Sequence, residues 1–234
     1  MEILFESAAG NSDWRTRLGE MSIPDCVATD PILLSCLQTL TSGGSVSSEV
    51  GISLMRQDSL SALCSLASMI KKARYDNRVF FNENLHVNTT NICVLACRFC
   101  AFRKGSRHPE AYALSSKDFV ERIDPYSNRI DEVHSVGGLH PDWTIDHYVE
   151  LYSTIKNAYP HIHLKSLTAI EIIHIADRSG ITVKQTLQSL SKSGLDSIPG
   201  GGAEILVDSV RNMICRGKET SSEYLEVHAI AHDL

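Results

Sequence analysis

Cys93-Val94-Leu95-Ala96-Cys97-Arg98-Phe99-Cys100 places three thiols in one short loop, directly after a strand-like run at Leu85–Thr89. The spacing is C-x3-C-x2-C, and no fourth cysteine stands close by in the sequence. Fe–S clusters are held by Cys thiolates, usually four of them. Three ligands on a four-iron cube leave one iron open to bind something else. A closed structural zinc site asks for a fourth ligand, which His108 could supply as a zinc knuckle. Three buried free thiols are the plainest alternative, but thiols this dense in a chain with no disulfide framework usually bind metal.

Outward from the loop, strand-like and helix-like segments alternate from Asn84 onward. The expected strands are Leu85–Thr89, Glu132–Val136, His161–Leu167 and Leu195–Ile198. Helical segments with recognisable ends lie between them. Ser115 with Asp118 caps one, and Ile145, Tyr148, Val149, Tyr152 and Ile155 stripe the next, which Pro160 ends. Thr182 with Gln185 forms a capping box for a third, with Gly194 as its stop. Such alternation predicts βαβ units on a parallel sheet, and right-handed crossovers curl those units into part of a barrel.

Chemistry in such barrels sits at the C-terminal strand ends. Every expected strand here ends in an unusual sequence. The first runs into the cysteine loop, and the second into Gly137-Gly138-Leu139-His140-Pro141, where two glycines let backbone approach a ligand closely or merely turn the chain. The third ends in Thr168-Ala169-Ile170-Glu171, and the fourth in Pro199-Gly200-Gly201-Gly202-Ala203-Glu204. The triple glycine lacks the Gly-Lys-Ser/Thr ending of a P-loop. Glu171 and Glu204, each taken alone, read as helix-start carboxylates favoured by the dipole. Their weight comes from all four signals falling at one end of successive strands.

Composition narrows the class. The chain has 234 residues, 43% apolar and 21% charged, enough for a sizeable core. A net charge of −6 gives no basic footprint for nucleic acid. Met1–Glu6 lacks a basic start and long apolar stretch, and no apolar run approaches the ~20 residues of a membrane span, so a soluble, cytoplasmic protein is expected. Cys26, Cys36, Cys64 and Cys215 are expected as reduced core thiols. Up to about Arg78 the chain reads helical, with a Ser42–Ser45 loop and a helix behind an Asp58 or Ser59 cap that buries Leu60, Leu63, Ala67 and Ile70. This part, residues 1–78, is expected as a helical cap packed on a main domain of residues 79–234.

C-x3-C-x2-C with an aromatic before the last Cys resembles the signature of radical S-adenosylmethionine (SAM) enzymes. The resemblance extends from about Leu54 through Asn77–Asn82, Val136–Pro141 and Gly194–Glu204, and is specific to one branch. That branch contains aminofutalosine synthase, dehypoxanthine futalosine cyclase and the FO synthase subunits. Glu132-Val133-His134 and Lys165…Thr168-Ala169-Ile170-Glu171 are similar to the synthase pattern, whereas the cyclase tends to place two prolines before that Glu. Thr89, Ser135 and Leu167 depart from the pattern, standing where a proline, an apolar residue and an aromatic are usual. The implied fold is α/β: a partial (β/α) barrel of the radical SAM type.

The resemblance implies a 4Fe–4S cluster on Cys93, Cys97 and Cys100, whose open iron binds SAM. It implies Gly137 and Gly138 presenting backbone to the methionyl amino group, Phe99 near the adenine, and Glu204 in the cofactor site. The implied reaction adds a 5′-deoxyadenosyl radical to 3-[(1-carboxyvinyl)oxy]benzoate, and rearrangement with loss of CO2 then gives aminofutalosine, an intermediate of menaquinone biosynthesis. Lys165 is the candidate for the substrate carboxylates. Glu171 is the candidate for a ribose hydroxyl or a proton. An external electron donor is implied. Residues 85–234 allow four or five βα units at ~30 residues each, where the family needs six strands. The expectation is therefore a chain with strands one to four only, truncated before strand five. A second polypeptide would supply the rest, or the chain would be a non-catalytic cluster-binding half; a cyclase-like enzyme is the other alternative.

Overall fold

A computed structural model describes residues 11–234, so the expectation about Met1–Glu6 lies outside it. The chain divides into two compact units between Phe81 and Asn82. The first unit is helical: α1 (Trp14–Glu20), α2 (Asp25–Ala28), α3 (Pro31–Thr41), α4 (Ser48–Met55) and α5 (Leu60–Tyr75). Asp30 caps α3 by accepting from Ile32 and Leu33 N–H, with Pro31 at the first helical position, where its missing N–H is harmless. Ser59 caps α5 as expected. The face that α5 buries differs from the expected one: Ala62, Leu66, Met69 and Ala73 point into the core with Leu18, Val27, Leu33 and Leu37. Leu60 is 70% exposed. Ala62, Leu66, Met69 and Ala73 fall at i, i+4, i+7 and i+11, a helical stripe rotated from the expected one, and Leu63 and Ile70 pack only at its margin.

The second unit interleaves β1 (Asn84–His86), α6 (Ser116–Ile123), β2 (Glu132–Ser135), α7 (Ile145–Ala158), β3 (His163–Ser166), α8 (Ala169–Ser179), α9 (Val183–Ser193), α10 (Asp208–Ile214) and α11 (Ser221–His232). The strands form a parallel sheet in the order β1-β2-β3. The fourth expected strand is reduced to a single parallel bridge between Lys165 and Ser197. Asp196 explains the shortening. Its carboxylate accepts Leu164 N–H at 2.7 Å and Lys156 Nζ at 2.6 Å, so a side chain takes a donor that a longer ladder would use.

Val133 and Leu164 face the helices and are fully buried with Phe119, Ile123, Tyr148, Tyr152, Ile155 and Ile172. Burying side chains of this size stabilises by roughly 1.5–3 kcal/mol each. The Tyr152 hydroxyl reaches Ser166 Oγ at 2.8 Å, which in turn donates to Ser135 O, so the core's polar atoms on these strands are linked. The boxes at Ser115/Asp118, Thr182/Gln185 and Thr220/Glu223 all form. Gly194 ends α9 at φ +115°, a conformation costly to any residue with a Cβ. No helix among the described residues is long and apolar enough to cross a membrane. All seven cysteines are unpaired; Cys36 and Cys215 are buried as expected, whereas Cys26 and Cys64 lie on exposed helix faces.

Candidate active site

The loop after β1 is stitched at its base. Thr90 Oγ1 donates to Tyr112 O at 2.6 Å, Asn91 Nδ2 donates to Glu110 O at 2.9 Å, and Asn91 Oδ1 accepts Tyr112 N–H at 2.8 Å. Cys93 N–H donates to Lys104 O and Val94 N–H to Leu139 O, tying the cysteine segment to the loop after β2. Further on, Arg98 N–H donates to Ile214 O at 2.8 Å, which brings the C-terminal end of α10 against the same segment. His108 is engaged locally, its Nδ1 accepting Glu110 N–H, and is not gathered with the thiols.

Cys93 and Cys97 are half-buried and Cys100 is exposed. Burial pushes the Cys97 thiol up, and Cys215, Cys93 and Cys100 push it further while Lys218 opposes them. Among the described residues no three His, Cys, Asp or Glu side chains stand close enough to grip a metal ion as they are. A bound metal reverses the local pKa logic, because a coordinating thiol is deprotonated outright. Three soft donors in one loop, with an open fourth position, suit an iron–sulfur cube better than a closed zinc site.

Gly137 and Gly138 pack against that loop. A Cβ on Gly138 would stand 2.2 Å from Ile92 O and 3.0 Å from Cys93 Cβ, and one on Gly137 would stand 2.6 Å from Thr89 Oγ1. Gly138 N–H is used by Thr90 O and Gly137 N–H by the Glu171 carboxylate, both at 2.8 Å. Among the described residues their carbonyls accept no hydrogen bond, and a carbonyl is what an ammonium donor requires. Thr89 Oγ1, buried beside Gly137, also lacks a partner.

Glu171 is 2% exposed and accepts from three donors. Besides Gly137, it accepts Thr168 N–H and Thr168 Oγ1 at 2.7 Å each, completing a capping box on α8. Burial raises its pKa to about 6 against these donors. Through these three donors the carboxylate joins the loops that follow β2 and β3. Leu167, adjacent, sits at φ +64° and is 1% exposed in the main core, so it lines no pocket.

Lys165 Nζ lies 2.5 Å from Glu132 Oε1, an ion pair that misses hydrogen-bond geometry. Phe99 is half exposed on the cysteine loop. Glu204, at φ +43°, meets Lys218 Nζ at 2.5 Å. Lys218 also donates to Gly202 O at 2.6 Å, and the buried Arg211 donates to Ala203 O, Ile205 O and Glu219 O. Sequence reasoning missed Arg211 and Lys218, which clamp the triple-glycine loop. Nothing in Arg211 to Glu219 marks them, because their role depends on a turn that folds back on the loop.

A parallel half-barrel with three cysteines after its first strand and paired glycines after its second defines a class, and comparison agrees. The sequence profile of the Radical SAM superfamily matches residues 87–234, and the chain belongs to that superfamily. Its members use a 4Fe–4S cluster and SAM. Within it, the chain is 31% identical over 206 residues to the aminodeoxyfutalosine synthase of Thermus thermophilus, covering 88% of this chain and 55% of that protein. It is 37% identical over 173 residues to the 5-amino-6-(D-ribitylamino)uracil–L-tyrosine 4-hydroxyphenyl transferase of Methanococcoides burtonii, covering 74% and 48%. The FO synthase of Nocardia farcinica is 35% identical over 174 residues, covering 74% and 20%. The FeFe-hydrogenase maturase HydG of Carboxydothermus hydrogenoformans shares the fold, with a TM-score of 0.60 at 15% identity over 99% of this chain and 51% of that one. The chain thus spans about half the length of the synthase and the transferase, and is related to the aminofutalosine synthase and FO synthase branches.

Proposed function

We propose that the chain forms the cluster-bearing portion of an aminofutalosine synthase-type enzyme, which joins the 5′-deoxyadenosyl group to 3-[(1-carboxyvinyl)oxy]benzoate in a menaquinone route. The observation that carries this reading is extent: similarity to the Thermus synthase runs over 206 residues, against 173 for the hydroxyphenyl transferase. The third strand's Lys165 and Thr168-Ala169-Ile170-Glu171 point the same way.

Cys93, Cys97 and Cys100 would hold three irons of the cluster. With SAM bound, the cluster supplies a 5′-deoxyadenosyl radical once reduced by an external donor. Gly137 and Gly138 would offer carbonyls to the methionyl ammonium, and Glu171 would keep that loop in register by holding Gly137 N–H. Phe99 would lie against the adenine. Glu204, steadied by Lys218, would complete the cofactor site. Lys165 would meet a substrate carboxylate with the ammonium hydrogens that Glu132 leaves unused. A second polypeptide carrying the remaining strands would complete the cavity.

The higher identity to the transferase favours one alternative, an FO synthase-type reaction on tyrosine. The test is an anaerobic assay of the reconstituted chain, alone and with a polypeptide carrying the later strands. It would be given SAM, dithionite and, in turn, 3-[(1-carboxyvinyl)oxy]benzoate, dehypoxanthine futalosine, or tyrosine with 5-amino-6-(D-ribitylamino)uracil. Aminofutalosine from the first substrate alone supports the reading. Turnover of either other substrate set without it overturns the reading.

A further inference from the structure

The loop after β2 is gripped at both ends by α8. Glu171 holds the Gly137 N–H at its start, and His174 Nε2 donates to His140 O at 2.8 Å at its end. Residues three apart on a helix are surface neighbours, so the two grips leave one face of α8. Between them, Gly138 N–H goes to Thr90 O and Leu139 O accepts Val94 N–H.

Beyond the second grip the chain builds a stack of three rings. Trp143 lies face to face with His140 at 4.4 Å and with His147 of α7 at 3.7 Å, the planes within 16° and 17° of parallel. Buried Tyr148 meets Trp143 and His147 edge-on at 5.9 and 5.3 Å. His140 Nδ1 accepts Asp142 N–H at 3.2 Å, and Ile145 N–H at the start of α7 donates to Ser179 Oγ of α8 at 2.8 Å. Aromatic pairs in these geometries resist separation beyond the area they bury. Only one residue, Leu139, separates Gly138 from the first ring of the stack.

We propose that the His140–Trp143–His147 stack, with the His174 bond, braces the Gly137-Gly138 loop from its far end, which makes Trp143 and His147 positioning residues for the SAM ammonium. The link to SAM rests on the reading of the glycine carbonyls given above; the brace itself rests on the stack. Its chemistry is acid-sensitive. Burial, then His140, holds His147 below the ordinary histidine range against Glu150, and burial with His174 does the same to His140 against Asp142. Glu150 also accepts from Ser116 of α6, while α9 packs on α7 through apolar Leu187 and Leu190. Both nitrogens of an imidazolium are donors, so protonation costs His140 its bond from Asp142 N–H and puts charge on a His147 ring whose buried Nε2 has no partner among the described residues. Lowered folded pKa values mean that the brace is intact above the unfolded histidine pKa of ~6.5 and is lost as pH falls through the folded values.

The test is hydrogen exchange of the peptide spanning Val136–Pro141 in the full cluster-reconstituted chain, corrected for the intrinsic rate at each pH, beside equilibrium dialysis with SAM. Trp143→Leu removes both stacked pairs and should speed exchange and weaken SAM binding about tenfold each at neutral pH, whereas Trp143→Phe should restore most of both. His147→Phe keeps a ring without a titrating nitrogen. It should leave neutral-pH exchange at the wild-type rate and lose most of the acceleration that wild type shows on acidification; any response from Glu171 is common to both proteins and cancels. Unchanged exchange in Trp143→Leu, or the same acid response in wild type and His147→Phe, would overturn the brace. Faster exchange in Trp143→Leu with unaltered SAM affinity would remove the glycine carbonyls from the SAM site and leave the brace standing. Weaker SAM binding with unchanged exchange would remove the brace and leave the carbonyl reading.

Discussion

The Glu171 carboxylate accepts the Gly137 N–H at 2.8 Å, so the cap of the helix after β3 and the glycine loop after β2 are one mechanical unit. Three donors converge on this single buried group. Removing it leaves Gly137 and Thr168 N–H groups unsatisfied and α8 without its box, which costs about 2–4 kcal/mol by adding a lost cap to buried orphan donors. Glu171→Ala should therefore lower the urea midpoint and weaken SAM binding together, read by denaturation and by equilibrium dialysis.

The same residue carries a pH signature. Its folded pKa of about 6 lies above the ordinary carboxylate value because burial opposes ionisation. The sign follows from linkage: this contribution to stability is fully present below the unfolded pKa of ~4.3 and is lost as pH rises through about 6, amounting to about 2 kcal/mol. The difference in unfolding free energy between wild type and Glu171→Gln should change across pH 4.5–6.5 and be flat above pH 7.

Gly138→Ala should lower cluster content sharply. Its Cβ would meet Ile92 O at 2.2 Å, a backbone atom that moves only if Cys93 moves with it. Iron and sulfide per chain after reconstitution should drop well below wild type, and stability should fall by about 1–3 kcal/mol from overpacking.

Arg211 is 3% exposed in its side chain and lies 3.0 Å from Glu219. Arg211→Ala leaves a buried carboxylate unpaired and frees the triple-glycine loop, so it should destabilise by about 3–5 kcal/mol. Tyr152→Phe is the contrasting case. It loses one buried hydrogen bond to Ser166, should cost about 1–2 kcal/mol, and should leave SAM affinity and cluster content at wild-type levels. Parallel denaturation and binding measurements separate the two.

Local signals were legible in the sequence where a few neighbouring residues settle the outcome. The Ser115 and Thr182 boxes, the Gly194 stop and the three-cysteine loop all depend on residues within one turn or loop. What depends on chain segments meeting across the fold was not legible. The Thr168–Glu171 box could have been read from its spacing, but its bond to Gly137 could not, because β2 and β3 must first pair. Arg211 and Lys218 reach back to the triple-glycine loop through a turn with no distinguishing pattern. The reduced fourth strand turns on one carboxylate, Asp196, capturing Leu164 N–H. The buried face of α5 was not legible because two overlapping apolar stripes, Leu60/Leu63/Ala67/Ile70 and Ala62/Leu66/Met69/Ala73, both have helical spacing, and only packing against Leu18, Val27, Leu33 and Leu37 selects between them.

The central claim is that Cys93, Cys97 and Cys100 hold a cube with one iron left for SAM. Anaerobic reconstitution followed by iron and sulfide analysis and EPR of the reduced protein, with and without SAM, tests it most directly. The account predicts about four iron and four sulfide per chain, a reduced-cluster signal that SAM alters, and loss of both in Cys97→Ala. Stoichiometric zinc with no iron uptake, or unchanged cluster content in Cys97→Ala, would contradict it.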